Sequence, residues 1–297
     1  MKPARHTNVL RHLGDSLDTQ LRRYRKRLKR CQEHFSEAAV HDSRVETRRL
    51  LATVELLCAF IPERDLRKAR GALKDHLDSF DRLRDTQVQL MYVEHLIRNF
   101  PAASEFRRWL RAREARFIRE SRKAVKQIRT RRLGKRISAF QQALERHRKE
   151  TKPERAFSRA QGAIRRAFAR VAQLCRRVSA ADTETIHRTR IAFKRFRYMV
   201  DALAPLLPAV TDEHRQAMRG YQSMMGDIQD VEVLIVTLDK FIKHGHDDPA
   251  TQRMRAEFDR RRGQLIRVYL NAAGKLQQFW PLQTRPAKVL HAGNGNP

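Results

Sequence analysis

Two short segments of this chain carry the same set of anion-binding side chains. Val40-His41-Asp42-Ser43-Arg44-Val45-Glu46-Thr47-Arg48-Arg49 is echoed by Ile186-His187-Arg188-Thr189-Arg190-Ile191-Ala192-Phe193-Lys194-Arg195, with one histidine and three cations at matching positions. On a 3.6-residue helix the spacing i, i+3, i+7 gathers His41, Arg44 and Arg48 into an arc of roughly 60°. His187, Arg190 and Lys194 fall the same way, with Arg197 alongside. Like charges so placed destabilise an isolated helix by roughly a few tenths of a kcal/mol per pair. A stripe built twice at that cost implies an anionic partner that offsets the repulsion. The planar fork of arginine suits bidentate contact with phosphate oxygens. A neutral imidazole can donate to one such oxygen, and an anion held nearby would favour its charged form. The competing reading of His41 and His187 is structural, as helix-face side chains that orient a neighbouring arginine.

The whole chain leans the same way. Its 297 residues hold 64 Lys and Arg against 33 Asp and Glu, a formal net charge of +31 and a sequence pI near 11.3. Nucleic acid, an anionic membrane surface and an inorganic polyanion all fit that excess, as does a merely basic, solvated surface. With 41% apolar residues the chain can bury a core. The N-terminus lacks an apolar signal region, and no run approaches the roughly 18 apolar residues of a membrane span. A soluble, cytoplasmic protein without membrane attachment is expected. Cys31, Cys58 and Cys175 are far apart in apolar helical contexts, which fits reduced core residues better than a disulfide framework or a zinc site.

The elements that must position these residues are helices throughout, because apolar residues recur at three- and four-residue steps and Gly or Pro falls between the periodic stretches. Leu10, Leu13, Leu17, Leu21, Tyr24, Leu28, Cys31 and Phe35 mark the first helix. The spacing predicts further helices over about 36–60, 63–99 with a possible break at Asp81 to Asp85, and 102–129. A basic, weakly patterned connection follows from Thr130 to Lys152. The second half then predicts helices over about 153–178, 181–206, 211–243 and 249–279. A second block repeats as well: SFDRLRDTQVQLMYVE from Ser79 aligns with SMMGDIQDVEVLIVTLD from Ser223, matching Asp85 with Asp230 and Val88 with Val233. One offset of about 145 residues relates both blocks, the signature of an internal duplication. Residues 1–150 and 151–282 form the two expected units, and 283–297 reads as a disordered tail.

Two copies of His-x-x-Arg-[Val/Ile]-x-x-[Arg/Lys]-Arg, each followed by an Asp-to-Val block, resemble the CHAD family, the conserved histidine α-helical domain. HDSRVETRRL with LRDTQV is similar to its first repeat, and HRTRIAFKRFRY with MGDIQDVEV to its second. The resemblance runs from about Leu10 to Trp280. It implies an all-α fold of two four-helix bundles related by a pseudo-two-fold axis around a basic central channel. It also implies binding of inorganic polyphosphate and attachment to polyphosphate granules, alongside polyphosphate-metabolising enzymes. Motif matches place His41, Arg44, Arg48, Arg49, His187, Arg190, Lys194, Arg195, Arg197 and Tyr198 on the ligand surface. Lys74 is a weaker addition, and Arg22 and Arg25 are weaker still. The first repeat has Leu51 and Ala52 where the second has Arg197 and Tyr198, so unequal walls are expected. The triphosphatase domain that often accompanies this family, with its Glu-x-Glu-x-Lys motif, has no counterpart here.

A linear polyphosphate offers no base to read, so a groove of Arg and Lys and little else suffices. Two Trp and five Tyr provide few of the aromatic platforms that single-stranded nucleic acid usually engages. Sequence-independent nucleic-acid binding remains the alternative. His244-Gly-His246-Asp247-Asp248 reads as a loop rather than a metal site. Asp85 and Asp230 are expected to orient arginines or cap a helix turn. Without a phosphate-binding Gly loop, a nucleophile elbow, a His-Glu-x-x-His or a Cys-x-x-Cys pair, a non-enzymatic binder without cofactor or metal is expected.

Overall fold

The computed structural model describes residues 8–281, which form helices and turns without a strand. Ten α-helices follow in order: α1 (Val9–His34), α2 (Glu37–Leu56), α3 (Glu63–Asp78), α4 (Asp81–Glu94), α5 (Ala102–Lys126), α6 (Thr130–Glu150), α7 (Pro153–Cys175), α8 (Thr183–Leu203), α9 (Asp212–Lys243) and α10 (Pro249–Ala272). Short 3-10 turns extend α2, α8 and α10 at Leu57–Ala59, Ala204–Leu206 and Ala273–Gln278. The expected disordered tail, 283–297, lies outside the described residues.

Local chemistry explains where helices begin. Side chains of Asn8, Ser36, Asp182, Thr211 and Asp248 accept backbone N–H groups at the starts of α1, α2, α8, α9 and α10, satisfying donors that have no intrahelical partner. Asp248 takes two, from Ala250 and Thr251. It caps a helix, as a loop reading of its segment requires. His246, beside it, stacks on Phe241 with ring centroids 3.9 Å apart.

Three expectations need correction. The stretch from Thr130 is a helix, α6, that buries Leu133, Ile137, Phe140 and Leu144 against α1; its apolar period was present but set among seven Arg and Lys along the helix. The break in the third predicted helix falls at Ser79 and Phe80, so Asp81 opens α4 and places its charge on that helix N-terminus. Cys58 sits exposed on a 3-10 turn, whereas Cys31 is buried and its thiol is pushed up to about 12 by burial.

Two apolar cores hold the helices together, and neither parts at residue 150. The larger runs through α1, α2, α6, α7 and α8 and includes Leu13, Leu17, Val54, Phe168, Phe193 and Phe196. The smaller joins Leu90 and Val93 of α4 and Phe106 and Leu110 of α5 to Leu234, Leu238 and Phe241 of α9 and Met254 and Phe258 of α10. The helices carrying the two histidine segments, α2 and α8, pack directly on each other, and α4 packs on α9. Long-range packing thus brings the two histidine segments together.

Replacing the double-acceptor cap tests how α10 is anchored. Asp248→Ala is expected to lower unfolding free energy by about 1 kcal/mol, with Asp248→Asn retaining most of it, in denaturant titrations.

Candidate functional site

A cavity of about 680 Å³ lies between α2, α3, α4, α8 and α9. His41, Arg44, Arg48, Lys74, His187, Arg190, Lys194, Arg195 and Tyr198 all line it, so nine of the thirteen residues proposed from sequence meet in one place. The reason is the i, i+3, i+7 stripe: α2 and α8 each turn that stripe toward the gap beside their shared contact, and α3, α4 and α9 close the gap.

The lining is more mixed than a groove of Arg and Lys and little else. Eight cations share it with five carboxylates, Glu55, Asp78, Asp81, Asp85 and Asp230. Some of these carboxylates hold arginines in place. Buried Arg44 donates to the Leu77 carbonyl oxygen at 2.5 Å and pairs with Asp81 at 2.6 Å, tying α2 across the α3–α4 break. Arg195 Nε lies 2.7 Å from Glu55 Oε2, tying α8 to α2, and Arg70 approaches the same carboxylate at 3.8 Å. Arg84 pairs with Glu37. The arginine-orienting role expected of Asp85 and Asp230 therefore falls to Asp81 and Glu55; neither Asp85 nor Asp230 forms an ion pair within 4 Å or caps a helix among the described residues.

Lys74, Arg48, Arg190 and Lys194, by contrast, make no side-chain hydrogen bond or ion pair among the described residues. The sequence explains one of these. Arg190 matches Arg44 under the repeat offset, but the position matching Asp81 is Gly226, and the Arg190 Nε lies 3.8 Å from where a Gly226 Cβ would stand. No carboxylate stands there to pair with Arg190, and its Nε is buried without a partner, as is that of Arg44. Near it, burial and the charges of Arg48, Arg190, Arg44 and Arg197 push Lys194 down to about 6. Burial and Arg44 push Arg48 down to about 10. His41 is lowered by burial and by Arg84, while a hydrogen bond joins His187 Nδ1 to Gln229 Oε1. Burial and Asp81 raise Asp85 to about 6, and burial raises Asp230. Both kinds of charge are thus suppressed in the cavity, the response of ionisable groups confined in a poorly solvated space.

Four sequence candidates lie elsewhere. Arg197 is buried, donating to Gln222 at 2.8 Å and to Asp201 at 2.7 Å, with its guanidinium 4.3 Å from the centre of the Tyr198 ring. Its i+4 aspartate captures it, so the expected inequality of the walls takes another form: Leu51 faces the cavity and Arg197 does not. Arg49 pairs with Glu46 of its own helix, and Arg22 with Asp18. Arg25 lies over Gly134 of α6. Sequence reasoning missed Glu55, Arg70, Arg84 and Gln229. Arg84 and Gln229 stood inside the quoted LRDTQV and MGDIQDVEV motifs; Arg70, one helical turn before Lys74, could have been found by extending that stripe. No group of three or more His, Cys, Asp or Glu able to hold a metal occurs among the described residues.

Comparison with known proteins agrees with this fold. The family described as the CHAD domain matches residues 15–239. The crystal structure of the CHAD domain from the plant Ricinus communis superposes with a TM-score of 0.63 at 18% identity, covering 89% of this chain and 91% of that one. PptA from Streptomyces chartreusis gives a TM-score of 0.59 at 14% identity, covering 90% and 99%. No curated protein matches the chain. The match spans both histidine segments and both Asp-to-Val blocks, over most of an all-helical chain, and the protein accordingly belongs to the CHAD domain family.

Proposed function

We propose that the chain binds inorganic polyphosphate in the α2–α8 cavity without turning it over, and that this attaches it to polyphosphate granules in the cytoplasm, where polyphosphate-metabolising enzymes are its neighbours. The observation that carries this reading is the set of four cations, Lys74, Arg48, Arg190 and Lys194, that face one cavity with no carboxylate partner. An entering phosphate chain would supply the missing counter-charges to all of them. It would also favour the protonated form of Lys194, which burial and the neighbouring arginines disfavour. The carboxylates do not oppose this: Asp81 and Glu55 are committed to arginines, and the raised pKa of Asp78, Asp85 and Asp230 softens their repulsion. Of the described helices, none is long and apolar enough to cross a membrane.

Nucleic acid is the competing ligand, and thermal shifts at matched phosphate concentration separate the two. At about 150 mM salt, where diffuse attraction is screened, long-chain polyphosphate is expected to stabilise the protein by roughly 2.7 kcal/mol at 100 times its dissociation constant. Duplex DNA and single-stranded RNA are expected to give far less; equal shifts from all three would favour the nucleic-acid reading. Arg48→Ala with Arg190→Ala is expected to weaken polyphosphate binding at least tenfold, against little change for Arg67→Ala with Arg119→Ala on exposed faces.

Lys194 gives a pH test. Its folded pKa lies below that of the unfolded chain, so folding strips a proton between about pH 6 and pH 10, and the cost grows as pH falls through that window. Ligand reverses this, so binding should take up protons and tighten as pH drops from 8 to 6, measurable by titration calorimetry in buffers of different ionisation enthalpy. Lys194→Met is expected to raise the unfolding midpoint of the free protein while weakening polyphosphate binding. A lysine held for structure alone would give the opposite change in stability.

A further inference from the structure

Helix α3 presents Arg70 and Lys74 to the cavity described above, and its other side borders a second, separate space. A cleft of about 490 Å³ lies between α1, α3, the end of α5 and the start of α6, and shares no lining residue with the first. Its volume falls within the range of about 300–1,000 Å³ typical of small-molecule sites. Tyr24, His76 and Leu133 form part of its surface and are buried, and Ala72, Ala124 and Ile128 add apolar wall. Such a surface, with a few convergent polar groups, is what an organic ligand's body requires.

The charged groups of the lining are mostly of one sign. Arg129, Arg132 and Arg136 line the cleft, and none makes a side-chain hydrogen bond or ion pair among the described residues. Arg132 and Arg136, at i and i+4, share one face near the start of α6, and Arg129 is the residue that precedes the helix; the helix dipole adds to the attraction for an anion there. Against them stands one carboxylate, Asp75. The excess of two positive charges matches a phosphate monoester, which carries about −1.5 to −2 at neutral pH.

His76 is a polar member of the cleft floor. It is 1% exposed, and burial together with Arg44 pushes it down to about 3, so the ring is neutral. Its Nδ1 lies 3.0 Å from the Tyr24 hydroxyl and 3.5 Å from Thr47 Oγ1. The Thr47 hydroxyl already donates to the Ser43 carbonyl at 2.7 Å, and the Tyr24 hydroxyl has no other acceptor among the described residues. Tyr24 therefore donates to Nδ1, which places the ring proton on Nε2. That nitrogen is buried without a partner. A buried donor without an acceptor is costly, and His76 is itself part of the cleft's lining.

We infer that this cleft is a second binding site, for a phosphate monoester with an apolar or aromatic body, in which Arg129, Arg132 and Arg136 hold the phosphate and the Tyr24–His76–Leu133 floor receives the body. The site does not depend on what fills the first cavity. Calorimetric titration of the full chain with phenyl phosphate, inorganic phosphate and phenol tests it. Phenyl phosphate is expected to bind at least tenfold more tightly than either fragment, and Arg132→Ala with Arg136→Ala to weaken it at least tenfold. Lys194→Met, which alters only the first cavity, should leave phenyl phosphate binding unchanged, and the His76 ring nitrogen resonances should move on saturation. Equal affinity for inorganic phosphate and phenyl phosphate would overturn the proposal by removing any role for the floor. So would retention of binding in the double arginine variant, or its loss in Lys194→Met, since either places the ligand elsewhere.

Discussion

The structure is organised around a repulsion. Arg48, Arg190 and Lys194 come from two helices, face one cavity and lack carboxylate partners, and their mutual field helps to push Lys194 down to about 6. The carboxylates of the lining form no ion pair with these three cations, so apolar burial elsewhere offsets much of the repulsion. Fully buried Leu13, Leu17, Val54, Phe193 and Phe196 lie in the core that holds α2 and α8 together, and burying such side chains contributes about 1.5–3 kcal/mol each. The core therefore keeps in place an arrangement of charge that would separate the helices if they were left to electrostatics alone.

Carboxylates complete that arrangement by division of labour. Glu55 and Asp81 are spent on Arg195 and Arg44, fixing α8 to α2 and α2 to the α3–α4 break. Each pair sacrifices one cation's availability and gains a defined wall. Substituting Gly226 for the second aspartate leaves Arg190 unpinned. The two histidine segments, alike in sequence, thus give the cavity one anchored arginine and one available arginine. That inequality differs from the one read at Leu51 and Arg197, where the visible change of charge has no consequence for the lining because Asp201 and Gln222 take up Arg197.

Where sequence reading succeeded and failed follows from the range of the interactions involved. His41, Arg44 and Arg48 share a helix face by backbone geometry alone, so their convergence was legible, as was that of His187, Arg190 and Lys194. Helix α6 was missed although Leu133, Ile137, Phe140 and Leu144 keep helical period, because the intervening cations masked a stripe that becomes obvious only against α1. Arg49 and Arg197 were read as site residues from motif position, yet Glu46 and Asp201, three and four residues away, capture them. Those captures were available in the sequence as local pairs.

What the sequence determined by itself was the helical character of the chain, most helix limits, and the two cationic stripes, since hydrophobic period, capping side chains and prolines act within a few residues. The tertiary structure alone decided which cations keep their charge free. Glu55 meets Arg195 across 140 positions of sequence, and Tyr24 meets His76 across 52. Pairings of that kind depend on which helices pack together and at what height. Whether a side chain becomes an anchor or a ligand-facing charge is therefore settled only when burial removes water and leaves each group with the neighbours the fold supplies.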